Sequence, residues 1–417
     1  MKKYRNLTTL VSLLSLLILV SFCLNSCSFV AIEANARGTV DLMENVTAYT
    51  DASELSKEEN ENFRDSFFSF STELFKNSVD NSKNSLISPL SVIMALGMTA
   101  NGADGTTLTE AEALFGGLDI LNKSIYAYRQ AQNSQLNTAN SIWIKDERGF
   151  DVKEDFLKTN ATYYGADAYL ATFDEQTLAD INNWVKENTD GEIEKILDEL
   201  TPDAVMCLIN TVLFDAEWSS PYTEFSKKTF HGLSDDCQAE MMTSSENTYL
   251  EGKNVRGFMK SYKGGSYSFA ALLPEEGISL SDFISTLDGD TLKALFDERQ
   301  KAPLRATVPS FSYDYSISAS EIIADMGWQS AFSGEANFSK ISDTPLNISE
   351  IIHKTHIDFK SSGTKAAAST AVVLTKTSAE VIMNEMIRLV FDRPFMYVIY
   401  DNNSELPVFI GTVNEIN

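Results

Sequence analysis

The chain is poor in the residues that do chemistry. It has four cysteines and three histidines in 417 residues. No Cys-x-x-Cys occurs and no His–Cys cluster has metal-ligand spacing, so neither a zinc site nor a thiol redox centre is expected. There is no Gly-x-Ser-x-Gly to mark a hydrolase nucleophile. No glycine-rich loop is set to cradle a phosphate, and Gly264-Gly265 reads as a turn. His353 and His356 stand three apart in a predicted strand, so they point to opposite faces and cannot share a metal or a proton. Basic residues are also short: 33 Lys and Arg against 59 Asp and Glu, a net charge of −26, which excludes a nucleic-acid partner. Asp282, Asp288 and Asp290 read as solvated loop residues; a carboxylate pair for acid–base work leaves no sequence signature, so that class stays open. No catalytic residue, metal or cofactor is expected, and no internal repeat appears.

What is present begins with an address. Lys2, Lys3 and Arg5 form a basic region, and Leu7 to Val20 is apolar. Leu24-Asn25-Ser26-Cys27 follows and resembles a bacterial lipobox, in which the cysteine is lipidated after cleavage before it. Residues 1–26 are therefore read as a lipoprotein-type signal peptide, with Cys27 as the lipid anchor at a bacterial cell surface. A simple secretory signal or an uncleaved anchor are the alternatives. Bulky Phe22 makes Cys23 the weaker acceptor, which leaves Cys207 and Cys237 as two separate thiols in a compartment that would permit a disulfide. Residues 27–60 are polar and acidic and read as a flexible tether.

From residue 61 to 417 the pattern is that of one folded body. Phe63, Phe67, Phe70 and Leu74 recur at helical spacing. Ser88-Pro89 opens a second helix, with serine as N-cap and proline at the first helical position, and Gly102 and Gly105 close it. A third helix is expected near Leu178–Thr189. Strands are expected at Val205–Phe214, Ser266–Leu273, Arg305–Tyr313, Met386–Phe391, Phe395–Tyr400 and Val408–Val413, with a turn at Tyr400–Ser404. Helices come early and strands late, without βαβ alternation, so the fold class is α+β.

One stretch fits neither a plain helix nor a plain loop: Gly363-Thr364-Lys365-Ala366-Ala367-Ala368-Ser369-Thr370, running on through Val372, Val373 and Leu374 to Lys376, Thr377 and Ser378. Read as a strand, one parity carries Thr364, Ala366, Ala368, Thr370, Val372 and Leu374, all acceptable in a core. The other parity starts with Lys365, which must face water. The segment could thus join a sheet with Thr364 inward, its small residues meeting little resistance. In isolation the alanine run would better suit a helix end or an exposed loop, and only context reverses that.

Context comes from an ordered series of motifs. Asn84-Ser-Leu-Ile-Ser-Pro-Leu-Ser-Val-Ile-Met-Ala-Leu-Gly-Met, Leu136-Asn-Thr-Ala-Asn-Ser-Ile-Trp-Ile and Tyr163-Tyr-Gly-Ala-Asp come first. Ile181-Asn-Asn-Trp-Val-Lys-Glu-Asn-Thr-Asp-Gly-Glu-Ile and Leu208-Ile-Asn-Thr-Val-Leu-Phe-Asp-Ala-Glu-Trp218 follow. Phe338-Ser-Lys-Ile-Ser, Ile348-Ser-Glu-Ile-Ile-His-Lys and Phe391-Asp-Arg-Pro-Phe-Met-Tyr-Val-Ile close the series. Together they resemble the serpins, from about residue 61 to the end.

The resemblance implies a serpin fold of three β-sheets and eight or nine helices, with an exposed reactive-centre loop. It implies suicide inhibition of serine proteases: the protease forms an acyl-enzyme on the loop, and the cut loop, about 361–378, enters the central sheet as a new strand. It assigns Gly363, Thr364, Ala366, Ala367, Ala368, Ser369 and Thr370 to the loop hinge. Ser88, Ser91, Asn182, Asn210 and His353 become the polar cluster that governs sheet opening, and Trp218 the residue at the sheet's top where insertion begins. The implied partner is a protease, and the chain is expected to be an extracellular monomer rather than an enzyme. Seventeen residues counted from Ser361 reach Thr377, so Thr377-Ser378 is the favoured scissile bond, suited to an elastase-like or subtilisin-like protease. Lys376-Thr377, suited to a trypsin-like one, is second, and a cysteine protease is a further class. Two departures stand out. Ser361-Ser362 replaces the family's usual acidic pair at the loop base, and Ser310 replaces the facing lysine. Lys365 replaces a usual glutamate. A non-inhibitory serpin, acting as a binding module or a substrate, is the alternative function.

Overall fold

The computed structural model describes residues 38–49, 54–146, 150–201, 204–364 and 386–416. Its elements, in chain order, begin with β1 (Val40–Asp41), α1 (Lys57–Ser78), β2 (Ser85–Ile87), α2 (Pro89–Ala100), α3 (Gly105–Phe115) and α4 (Leu118–Ala131). There follow β3 (Leu136–Lys145), α5 (Glu154–Tyr163), β4 (Asp167–Ala171), α6 (Glu175–Asn188), β5 (Met206–Phe214), β6 (Ala216–Glu217), β7 (Glu224–His231), β8 (Asp236–Gly252), β9 (Val255–Ser261) and β10 (Tyr267–Pro274). The last are α7 (Leu280–Ser285), α8 (Gly289–Asp297), β11 (Gln300–Pro309), β12 (Phe311–Ser318), α9 (Ser320–Asp325), β13 (Glu350–Phe359), β14 (Gly363–Thr364), β15 (Ile387–Val390), β16 (Phe395–Asp401) and β17 (Leu406–Val413).

Local chemistry sets the early helices. Ser56 and Glu59 form a reciprocal capping box at the start of α1, whose Phe63, Phe67, Phe70 and Leu74 are all buried. Ser88 caps α2 by accepting from the Ser91 N–H, with Pro89 behind it; every residue of α2 is buried, so this helix runs through the core.

The strands build two hydrogen-bonded sheets. The first runs β1-β4-β3-β5-β13, with β12 on the far side of β13 and β14 and β6 completing it. One face packs on the main core through Ile142, Ile144, Met206, Leu208 and Ile351. The other carries α6, where Ile181, Trp184 and Val185 meet Trp143, Cys207, Ile209 and Ile352. The alternation along each strand delivers both faces, as a sheet covered on both sides requires. The second network has nine strands, β15-β11-β8-β9-β10-β16-β17-β2, with β7 added to β8. Three sheets were implied; the outer two join here because β8 spans 17 residues, pairing with β7 along its first part, with β11 through its middle and with β9 at its end.

Three expectations shift. The strand predicted over Arg305–Tyr313 is two strands, β11 and β12, broken at Ser310. The folded body begins before residue 61: β1 at Val40–Asp41 already joins the first sheet, and α1 starts at Lys57. The tether is shorter than 27–60, because the free edge of β4 offers backbone partners. Val40 and Asp41 pair with Leu170 and Tyr169, and the Tyr49 N–H donates to Thr162 Oγ1 at 2.8 Å. Cys207 is buried and Cys237 half-buried, and both are free thiols.

Candidate functional site: a half-open sheet and its polar hinge

The site lies where β5 and β13 part. The two strands run parallel and pair directly over Cys207–Asn210 and Glu350–His353. Above that, another strand stands between them. Thr364 of β14 pairs with Phe359 of β13 on one side and Ala216 of β6 on the other, and Gly363 pairs with Glu217. The backbone at Gly363 passes so close that a Cβ there would sit 2.2 Å from Ala216 O. Only glycine fits. Thr364 takes the inward position, 2 % exposed, and shares a 2.6 Å hydrogen bond with the Tyr262 hydroxyl. Below it, Leu213, Phe214, His356, Ile357 and Asp358 line a narrow cleft in the same gap.

Trp218 holds the mouth of this gap. Its backbone N–H donates to Ser362 O and its indole N–H to Lys360 O, each at 2.9 Å. The Tyr222 N–H donates to Ser361 O at 2.9 Å, and the Lys360 N–H closes the turn onto Gly363 O. Ser361 and Ser362 are thus held by their carbonyls. Trp218 stacks on Tyr262 at 4.2 Å between ring centres and meets the Phe359 ring edge-on. Buried between Trp218 and Tyr222 lies the Lys260 ammonium, 2.8 Å from Glu246.

The polar cluster sits at the bottom of the gap, on the core face of the sheet. Asn140, Asn210 and His353 form one row across β3, β5 and β13. Asn210 Nδ2 donates to Asn140 Oδ1 and, at 2.8 Å, to Ser91 O. The Ser88 N–H at the start of α2 donates to His353 Nε2 at 3.0 Å. The imidazole therefore carries its proton on Nδ1. Burial pushes its pKa down to about 4, so it is neutral at pH 7. His353 Nδ1, Asn210 Oδ1 and Ser91 Oγ have no hydrogen-bond partner among the described residues. His356 points the other way and binds Asp314 at 2.8 Å.

Asn182 does not belong to this cluster. It sits on α6, where its Oδ1 accepts from the Ile196 and Leu197 N–H groups and its Nδ2 donates to Leu197 O. It fastens the segment after the helix, on the sheet's opposite face. Asn140 takes the place assigned to it. The parity that puts Leu136, Ile142 and Ile144 inward also puts Asn140 inward, which is the signal that finds it. Tyr222, Tyr262 and the Lys260–Glu246 pair were also missed; long-range pairing brings them in. Lys365, Ala366, Ala367, Ala368, Ser369, Thr370, Lys376, Thr377 and Ser378 lie outside the described residues, as does Cys27.

A model of the serpin (serine protease inhibitor) family matches residues 66–416. The chain belongs to the serpin family. An uncharacterised serpin-like protein of Thermococcus kodakarensis is 28% identical over 362 residues, covering 82% of this chain and 83% of that one. Serine proteinase inhibitor A3K of Cavia porcellus is 27% identical over 353 residues, covering 80% and 84%. The thermophilic serpin tengpin in its native state shares 41% identity and a TM-score of 0.84, over 91% of this chain and 100% of that chain. Against tengpin in its latent state the TM-score is 0.76, over 88% and 100%. The direct pairing of β5 with β13 in this serpin agrees with that order: at His353 the sheet has not parted. Serpins are in general protease inhibitors rather than enzymes, and often extracellular. Among the described residues no helix is long and apolar enough to cross a membrane.

Proposed function

We propose that this serpin is an irreversible suicide-substrate inhibitor of serine proteases, working at a bacterial cell surface through a lipid on Cys27. A protease attacks Thr377-Ser378, or Lys376-Thr377, and is caught as an acyl-enzyme when the cut loop enters the first sheet. One relationship carries this reading. β14 starts a strand in register with both neighbours, and the register can be extended. Phe359 lies opposite Thr364, so His353, six residues back, falls opposite Thr370, six residues on. Ala216 lies opposite Thr364 on the other side, so Asn210 falls opposite the same Thr370. Both counts agree, because Asn210 and His353 are themselves partners.

Thr370 has the parity of Thr364 and would face inward. Its hydroxyl would meet the two unpartnered atoms, donating to Asn210 Oδ1 and accepting from His353 Nδ1–H. A new central strand also replaces a short seam of parallel pairing with antiparallel ladders on both sides, which is the direction of stability. Thirteen further residues, 365–377, at about 3.3 Å each would carry the bound protease about 43 Å.

The test is incubation with elastase-like, subtilisin-like and trypsin-like proteases. A complex that survives boiling in detergent, with a released fragment starting at Ser378 or Thr377, is expected. Clean cleavage by all three without a complex would favour the non-inhibitory reading.

A further inference from the structure

A charge lies buried where the loop is held. Lys260 is 2 % exposed, on strand β9 between the buried Met259 and the ladder to Phe269. An ammonium there is costly unless it is matched. Glu246, on β8, supplies one partner at 2.8 Å and is itself largely covered. The rest of the match is aromatic. The Nζ lies 4.4 Å from the centre of the Tyr222 ring and 5.6 Å from that of Trp218. These two residues make the hydrogen bonds to the carbonyls of Lys360, Ser361 and Ser362. Ser361, Ser362 and Ser310 offer no ion pair across the mouth, and the charged pairs beside it, Lys360–Asp358 and Lys263–Glu217, each lie on one side of the gap.

We propose, on the insertion reading above, that Lys260 is a positioning residue that sets the lifetime of the uninserted form. Its cation pins Trp218 and Tyr222 face-on, and they in turn clamp the turn at 360–363. The mouth is held from within, since neither of those two surface pairs spans it. Without the ammonium the two rings lose that hold, the indole bond to Lys360 O and the backbone bonds beside it loosen, and the sheet opens unprompted.

The experiment compares wild type, K260R, K260M and the double variant K260M/E246L. Each full chain is held at one temperature below its melting point, and the fraction that still unfolds at low urea is followed with time. Loss of that fraction reports insertion without cleavage. K260R keeps a cation over both rings and should keep the wild-type lifetime. K260M and the double variant should lose the uninserted form about thirtyfold faster, the size of a desolvated cation–ring contact. The double variant decides between roles, since it removes both charges and leaves no carboxylate stranded. If it lives as long as wild type, Lys260 merely neutralises Glu246 and the proposal is overturned; should K260M fail to fold, the double variant still carries the test. Subtilisin clipping of wild type guards the premise. A melting temperature that does not rise on clipping overturns the insertion reading, and this one with it, whereas a rise combined with an undisturbed double variant overturns this one alone.

Discussion

Asn210 and His353 stand opposite one another on adjacent parallel strands, and each keeps one hydrogen-bonding atom unengaged by any described residue. Buried polar atoms are rarely left so. The pair sits at the level of the sheet where the extended register of β14 would bring an inward-facing threonine, Thr370, and a hydroxyl is the group that can serve an acceptor and a donor together.

The first prediction follows from that fit. Thr370→Val keeps the shape and removes the hydroxyl. The clipped, inserted form should lose about 1–3 kcal/mol, because two buried groups go unserved. The intact form, where the seam is closed, should melt as wild type does. Melting curves of both forms decide it; a clipped variant as stable as the clipped wild type would disprove the pairing.

His353 gives the second. The unfolded chain binds a proton on it near 6.5, the folded one only near 4. Between those values the unfolded state holds more protons, so this contribution is full above 6.5 and is lost as pH falls toward 4. The loss amounts to about 3 kcal/mol over the window. His353→Gln cannot titrate there. The gap between wild-type and variant melting temperatures should shift against the wild type as pH drops through this range, and parallel curves would refute the assignment.

Thr364 gives the third. It is inward and bonded to Tyr262 at 2.6 Å, with Phe359 and Ala216 on either side. Thr364→Arg would put a charge into that space at a cost of several kcal/mol, roughly 3 or more. The arginine would force β14 out of the gap in the intact form, and insertion would then have to bury the charge to begin. The variant should be cut at the normal rate yet release the protease, raising the moles of serpin consumed per mole inhibited. Unchanged stoichiometry would count against insertion through this mouth.

What the sequence made legible was what repeats locally. Periodicity gave α1, and the Ser88-Pro89 cap gave α2, because a helix start is written in adjacent residues. Parity separated His353 from His356. What stayed hidden depends on strands far apart in the chain. Trp218 meets Tyr262 through an isolated antiparallel bridge, and Lys260 reaches Glu246 from a neighbouring strand. No spacing rule records either. Asn182 was misassigned for the same reason: sequence shows that it lies on α6, but not that its amide faces the segment around Leu197 instead of the sheet's core side.

That corrected placement yields the last prediction. The Asn182 amide makes three hydrogen bonds to Ile196 and Leu197. Those residues and Ile193 pack over Cys207, Ile209 and Ile352, on the seam between β5 and β13. Lys354 of β13 adds a bond to Lys195 O at 2.8 Å. The segment is a cover fastened across the seam, and on the proposed insertion an incoming strand would have to lift it. Asn182→Ala unfastens it and should lower the intact form's stability by about 1–3 kcal/mol. The barrier to opening should fall with it, so the urea-resistant form should appear faster on warming. The clipped form, already past that barrier, should melt close to the clipped wild type. If both forms lose stability equally, the amide supports something common to the two states, and the cover plays no part in the timing of insertion.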